Sequence, residues 1–129
     1  MNTKLNRSIR SVSFFIIVAF YLFAGVNHFI NPEFYYPLVP SYLPWPKTIN
    51  WISGIAEISL AIGLIFKPTR KLSSYLIIVM LLAFLPSHIY FIALGGCVHE
   101  GLCVDVWVMW VRLLVVHPIL ILWVWWHRK

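Results

Sequence analysis

The chain has 129 residues, of which 61% are hydrophobic and 11% are charged, and its formal net charge is +6. Soluble domains are about 25% charged, and a chain this short has too little interior to bury so many apolar side chains. The composition therefore excludes an ordinary soluble domain and favours a single domain in a lipid bilayer. The basic residues lie where a membrane protein carries its topology signal, so we expect no nucleic-acid partner.

Four apolar segments are long enough to cross a membrane as helices. A hydrocarbon core about 30 Å thick needs roughly 20 residues at about 1.5 Å per residue. The segments cover about residues 11–30, 48–66, 72–94 and 104–126. A signal peptide is the alternative for the first, but no small-residue cleavage pattern ends it and further spans follow. We expect an all-α fold, a membrane four-helix bundle that forms one transmembrane domain over residues 1–129.

The connections between the spans differ in character. Residues 31–47 contain five prolines among aromatic side chains, which rules out a long regular helix and suits the headgroup level of a membrane. This segment is either a connector or a functional lid, and we expect it to be ordered. Residues 67–71 form a short basic turn. Pro86 interrupts the third span and is expected to kink it.

The basic residues predict the orientation in the membrane. Three lie before the first span, three in the turn between spans two and three, and two at the C-terminus, whereas the opposite side has only Lys47. Cytoplasmic loops carry the excess of Lys and Arg. We therefore expect four transmembrane helices with both termini cytoplasmic, in the inner (plasma) membrane of a cell, with residues 31–47 and 95–103 facing outward.

Each span carries an ionisable side chain in its outward half, and such groups are costly in lipid and usually functional. Helical spacing places them on stripes of small or polar residues. The stripes are Tyr21, Gly25 and His28; Ser53, Glu57 and Ala61; and Asp105, Met109 and Arg112. Because polar faces point into a bundle, we predict a cluster of His28, Glu57, His88 and Arg112, with Asn27, Tyr90 and Asp105 nearby.

Glu57 and Arg112 are the best charge pair in this predicted cluster. A bidentate contact would recover much of the cost of placing each charge in lipid. The pair would either lock two helices together or belong to a ligand or proton-transfer site with the two histidines. His117 lies five residues past Arg112, so we expect it on another face. Two histidines and a carboxylate could bind a metal, but no two of them occur at close helical spacing within one span, so we expect no metal site.

Cys97 and Cys103 are the only cysteines, and both lie in one outward loop that also holds His99 and Glu100. An oxidising compartment favours a disulfide between them. The spacing differs from the Cys-x-x-Cys of thioredoxin-like centres. A structural clip is therefore the first interpretation, and a redox-active pair linked to quinone is the second.

Several motifs resemble those of the DoxX/DoxD-like family of small four-span membrane proteins. The resemblance runs through residues 24–46, 52–71, 85–91 and 110–114, and it includes Asn-His-Phe with following prolines, Ser-Gly-x-x-Glu, and Arg-Leu in the fourth span. The resemblance implies an inner-membrane protein associated with redox complexes. It assigns family-like positions to Asn27, His28, Pro32, Pro40, Gly54, Glu57, Pro86 and Arg112.

These observations lead to three functional hypotheses. The first is an accessory subunit of a membrane redox system whose polar cluster binds a quinone-like or other small amphipathic ligand. The second is a membrane enzyme that transfers protons or isomerises a lipophilic substrate, with Glu57 as base. The third is a purely structural membrane protein. The expected partners are the lipid bilayer, a redox protein and a second copy of the chain.

Overall fold

The computed structural model describes residues 2–98 and 102–129. Within these ranges the chain is predominantly helical, and its only extended pairing is an isolated bridge between Cys97 and Cys103. Four helical segments are long and apolar enough to cross a membrane: Thr3–Ile30, Pro46–Ile65, Lys67–Ala93 and Val106–His127, named spans 1 to 4 here. The predicted all-α fold with four spans is confirmed, and the chain has the make-up of a multi-pass membrane protein.

Span 1 belongs to helix α1, which covers Asn2–Ile30. It begins well before the apolar segment predicted from residue 11, because residues 2–10 contain neither proline nor glycine and so do not interrupt a helix. The basic end of α1 is held against span 4. The Arg10 guanidinium donates to the Trp126 carbonyl oxygen at 3.2 Å and lies 5.9 Å from the centre of the Trp126 ring.

The proline-rich connection is ordered. A short helix α2 covers Pro32–Tyr35, and a 3₁₀ turn, Tyr36–Leu38, follows it. Prolines begin both α2 and the next helix, α3 (Pro46–Ile65), where the missing amide hydrogen is not needed. Helix α2 and the 3₁₀ turn pack on spans 1, 2 and 3, so the connection covers one end of the bundle.

Spans 3 and 4 are each irregular at a defined point. Span 3 consists of α4 (Lys67–Ala83) and α5 (Leu85–Ala93), which meet at Phe84 because Pro86 cannot donate the next helical hydrogen bond. Span 4 consists of α6 (Val106–Val111), a π-helical turn (Arg112–Val116) and α7 (His117–His127). In the π turn the His117 amide donates to the Arg112 carbonyl oxygen.

The spans pack in chain order around the bundle. Span 2 packs on spans 1 and 3, and span 3 also packs on span 4; the interface between spans 1 and 2 is the most extensive. We call the half that carries the chain termini the terminal half, and the half next to residues 31–45 and 94–105 the loop half. A continuous apolar core fills the bundle mainly in the terminal half; its members include Ile17, Leu64, Ile77 and Val124. A smaller apolar cluster of Phe91, Val98 and Met109 lies in the loop half.

Candidate functional site

Two glycines bring spans 1 and 2 unusually close together. A Cβ atom on Gly54 would lie 2.7 Å from the Phe29 ring and 2.8 Å from the His28 Cβ. A Cβ atom on Gly25 would lie 2.9 Å from the Gly54 carbonyl oxygen. Small residues permit such backbone contact between membrane helices. The close crossing places the side chains that follow each glycine, His28 and Glu57, next to each other.

His28 and Glu57 form a buried pair, which we call the dyad. The His28 Nε2 lies 3.6 Å from the Glu57 Oε2. Only 7% of His28 and 6% of Glu57 is exposed. Both residues were predicted from the sequence to share a cluster, and the structure brings them together. Two groups that each bind or release a proton therefore face each other inside the bundle.

Asn50 fixes the orientation and the tautomer of His28. The Asn50 amide nitrogen donates to the His28 backbone carbonyl oxygen at 2.9 Å, which leaves the Asn50 Oδ1 as an acceptor. The His28 Nδ1 lies 2.6 Å from this oxygen and must therefore donate its hydrogen to it. The neutral ring then presents an unprotonated Nε2 to Glu57. One proton between the dyad residues can thus reside on either Glu57 or His28.

Asn50 was missed by the sequence analysis, although the sequence contains a signal for it. The buried face of α3 consists of Asn50, Gly54, Glu57, Ala61 and Leu64. Asn50 lies two helical turns before Glu57 on that face, at the spacing that places residues on one side of a helix. The predicted stripe through Ser53 is shifted by one position, because Ser53 is half-buried and its hydroxyl donates to the Ile49 carbonyl oxygen at 2.9 Å.

Two buried polar atoms near the dyad have no hydrogen-bond partner among the described residues. They are the Glu57 Oε2 and the Tyr21 hydroxyl oxygen. Tyr21 lies on span 1 within electrostatic range of Glu57. Buried polar groups in native proteins are nearly always hydrogen-bonded, and an exception calls for an explanation. A group that takes part in binding or proton exchange is one such explanation.

Tyr35 covers the dyad from the loop side. Its ring stacks on the His28 ring with the centres 3.8 Å apart and the planes 20° from parallel. The Asn27 amide nitrogen donates to the Tyr35 hydroxyl at 2.7 Å, and Asn31 donates to the Asn27 Oδ1 at 2.7 Å. Asn27, predicted for the cluster, thus reaches the site through Tyr35. Helix α2 is the element that holds this cover in place.

His88 and His117 lie on the opposite side of the loop half. Their rings are 5.0 Å apart, and the His117 Nε2 donates to the Leu81 carbonyl oxygen at 2.6 Å. His117 is buried, whereas Arg112 is exposed, so the two residues differ in burial as residues on different faces do. The π turn Arg112–Val116 separates the two residues. The sequence signal is Pro118, because a proline often accompanies a distorted turn.

The predicted ion pair between Glu57 and Arg112 is wrong. The two side chains are not within the 4.0 Å of an ion pair, and Glu57 faces His28 instead. Span 2 packs on spans 1 and 3, whereas span 4 packs on span 3 and meets span 1 through α7. Glu57 and Arg112 therefore lie on diagonal helices. Arg112 is exposed at the surface of the protein and lies within electrostatic range of His88 and Tyr35.

The remaining predicted site residues lie at the edge of this region. Asp105 is exposed and precedes the first turn of α6, and Tyr90 is half-buried on α5. We call four of the less buried polar side chains of the loop half the rim; they are Asn27, Tyr35, His88 and Arg112. The site therefore consists of a buried dyad and a rim of less buried side chains.

Cys97 and Cys103 are joined by a disulfide, with their Cα atoms 4.2 Å apart. Backbone hydrogen bonds flank the disulfide, from Val98 to Leu102 at 3.1 Å and from Val104 to Gly96 at 2.9 Å. His99 and Glu100 lie outside the described residues. Within the described ranges, no group of three His, Cys, Asp or Glu side chains is arranged to hold a metal ion.

Comparison with known proteins adds a family but no activity. Neither the curated proteins nor the solved structures contain a significant match to the chain. One family model, described as "Domain of unknown function (DUF8561)", matches residues 17–128, which include the second half of span 1, all of spans 2 to 4, and every residue of the dyad and the rim. The chain therefore belongs to the DUF8561 family.

Proposed function

We propose that this protein binds a small amphipathic, quinone-like molecule in the loop half of its bundle and exchanges a proton with it through the dyad. The protein would act as an accessory subunit beside a redox protein, the role that the DoxX/DoxD-like resemblance implies. Its setting would be the inner (plasma) membrane, with both termini cytoplasmic. The ligand would approach from the outward-facing side.

The observation that carries this proposal is the unsatisfied Glu57 Oε2 opposite the oriented His28 Nε2. A purely structural pair would bury its polar atoms with all hydrogen bonds made. Here Asn50 holds one side of the imidazole and leaves the other side to share a proton with Glu57. Quinone reduction takes up protons, so a pair that can pass one proton suits the head group of such a molecule.

The difference in accessibility between the dyad and the rim supports a route for the ligand. The dyad residues are buried, Asn27, Tyr35 and His88 are half-buried, and Arg112 is exposed. A head group that contacts Tyr35 from the loop side would be separated from His28 by the Tyr35 ring. The neighbouring surface of span 4 is apolar and exposed at Val111, Leu114 and Val115. That surface suits the apolar tail of an amphipathic ligand.

Binding can be tested with the purified protein in dodecyl maltoside. Solvent extraction followed by mass spectrometry should recover a quinone-like or related lipid, and added decylubiquinone should quench the tryptophan fluorescence saturably. Glu57→Gln and His28→Gln should each weaken decylubiquinone binding about tenfold or more. The matched control is His127→Gln, which removes a buried histidine at the other end of the bundle. Well-folded protein that binds neither quinone nor any extracted lipid contradicts the proposal.

A second candidate function, proton transfer on a lipophilic substrate, is favoured by the way Asn50 holds His28. General acid and base groups need a fixed tautomer and a fixed direction, and third residues commonly provide them. The test compares the lipids that co-purify with the wild-type protein and with Glu57→Gln. An enzyme should carry product in the first and an isomeric, unreacted substrate in the second. The same molecule in both preparations supports binding alone.

The proposed orientation has its own experiment. A fluorescent protein fused to the C-terminus should fold and fluoresce in the cytoplasm, and alkaline phosphatase fused there should be inactive. Phosphatase inserted between Tyr42 and Leu43 should be active, because this connection would face outward. The reverse pattern contradicts the orientation without affecting the assignment of four spans.

A further inference from the structure

We infer that the ligand carries a negatively charged head, held by Arg112, so that the site takes an amphipathic oxyanion with one apolar tail. This inference rests on the proposed function, since it specifies the ligand of the same site. It starts from the charge balance of the loop half. A cation inside a span is costly unless it is paired or reaches water. Arg112 lies about 9 Å along span 4 from Val106, well inside the span.

Among the described residues, Arg112 has no carboxylate within the 4.0 Å of an ion pair. Glu57 is held opposite His28 on a diagonal helix, and Asp105 lies two turns away at the exposed start of α6. Arg112 is nevertheless one of the exposed residues of span 4. A planar guanidinium binds carboxylates and phosphates through two parallel hydrogen bonds. Its natural occupant is therefore the oxyanion of a ligand.

The groups around Arg112 also suit an oxyanion. The Tyr35 hydroxyl accepts a hydrogen bond from Asn27, so its own hydrogen is free to be donated. Tyr35 and His88 lie within electrostatic range of Arg112. Donors from spans 3 and 4 and from α2 therefore lie in the same region of the loop half. None of these three side chains is a carboxylate.

Matched ligands test the inference in dodecyl maltoside at pH 8. Laurate and dodecyl phosphate carry an oxyanion, dodecanol has a similar chain without charge, and phosphate alone lacks the tail. We expect saturable binding of the two charged amphipaths, at least tenfold tighter than that of dodecanol, and no binding of free phosphate. Nanodiscs distinguish a membrane lipid from a free acid as the occupant. If the occupant is an anionic phospholipid, laurate should displace lipid from the protein in anionic nanodiscs and should displace none in zwitterionic nanodiscs.

Variants identify Arg112 as the residue responsible. Arg112→Gln should weaken laurate binding at least tenfold and leave dodecanol binding unchanged, and Arg112→Lys should lie between. Arg128→Gln removes the same charge at the other end of the chain and should change neither. Equal binding of laurate and dodecanol to the wild-type protein overturns the inference. Glu100→Gln tests the acidic residue that lies outside the described ranges. If laurate binding becomes tenfold tighter in this variant, Glu100 is the partner of Arg112, and this result also overturns the inference.

These results separate the inference from the proposed function. Decylubiquinone that binds through His28 and Glu57 while laurate does not bind leaves the proposed function intact and rejects the anionic head. Laurate that depends on Arg112 while decylubiquinone does not bind supports the anionic head and rejects a quinone. Failure of every amphipath to bind rejects both.

Discussion

The two halves of the bundle differ in the side chains that their helices bury. The terminal half buries apolar side chains against one another, and Ile17, Ile77 and Val124 have no exposed surface. The loop half contains the glycine crossing, the proline kink, the π turn and the dyad. Apolar packing stabilises helices without polar atoms that need partners. The loop half instead places ionisable groups where they are costly, which is a feature of functional sites.

The polar groups of the two halves show the same contrast. In the terminal half the Trp123 ring nitrogen donates to the Ser13 hydroxyl at 2.7 Å, and Ser13 bonds to His127 at 3.0 Å. Arg70 donates to the carbonyl oxygens of Leu64 and Ile65 and lies 4.5 Å from the centre of the Phe14 ring. In the loop half, Glu57 keeps an oxygen without a partner. We infer that the terminal half holds the bundle and the loop half carries the site.

The largest effect should come from a cavity in the terminal half. Leu64 is 1% exposed within the apolar core, so Leu64→Ala should lower the free energy of unfolding by about 2–5 kcal/mol. Denaturant titration in detergent, followed by circular dichroism, measures this loss. At a temperature where the variant is folded, its affinity for decylubiquinone should match that of the wild-type protein. A folded Leu64→Ala protein with weakened binding would show that the two halves are coupled.

Gly54→Ala should have the next largest effect, and it should affect both stability and the site. The new methyl group would overlap the Phe29 ring and the His28 Cβ, and its third neighbour is the Gly25 backbone, which cannot move aside without separating the spans. Overpacking of this kind costs about 1–3 kcal/mol. Ser59→Ala on the exposed face of α3 is the control and should change stability by less than about 0.5 kcal/mol. The affinity for decylubiquinone should fall in Gly54→Ala and stay unchanged in Ser59→Ala.

Double-mutant cycles separate the observed pair from the one expected from sequence. His28→Gln combined with Glu57→Gln should show a coupling energy of about 0.5–3 kcal/mol, because the side chains are in contact. Glu57→Gln combined with Arg112→Gln should be additive within about 0.5 kcal/mol, because their helices are diagonal. Unfolding free energies of the single and double variants give both values. Strong coupling between Glu57 and Arg112 would contradict the geometry of the loop half.

The sequence predicts the spans well because hydropathy and length are local properties. Each span needs only enough apolar residues to cross the lipid, and a proline or glycine shows where it is irregular. The pairing of Glu57 depends instead on which helices are neighbours and how each is rotated. Stripes of polar residues show the face that is buried but not the helix that it meets. The prediction therefore identified the residues of the dyad and gave Glu57 the wrong partner.

The π turn is the clearest case of information absent from helical periodicity. Every face assignment in span 4 assumed about 3.6 residues per turn, and the turn at Arg112–Val116 changes that phase. His117, which follows this turn, lies beside His88. Asp105, Met109 and Arg112 do not share one buried face, since only Met109 of the three is buried. Asn50 was missed for a different reason. It is the only polar residue of the buried α3 face near the end of the helix, where a polar residue usually contacts water.

The smallest effect should come from the Tyr35 hydroxyl, which lies outside the dyad. Tyr35→Phe keeps a ring that can stack on His28 and removes only the hydroxyl that accepts from Asn27. Loss of one such hydrogen bond should lower stability by about 1 kcal/mol, and Tyr42→Phe, which alters an exposed ring, should lower it by less. Thermal unfolding in detergent measures both. If the hydroxyl also donates to an oxyanion, Tyr35→Phe should weaken laurate binding by a larger factor than decylubiquinone binding. Equal weakening would mean that Tyr35 acts only by holding α2 over the dyad. The loop half would then bind the oxyanion without a hydrogen bond from the Tyr35 hydroxyl.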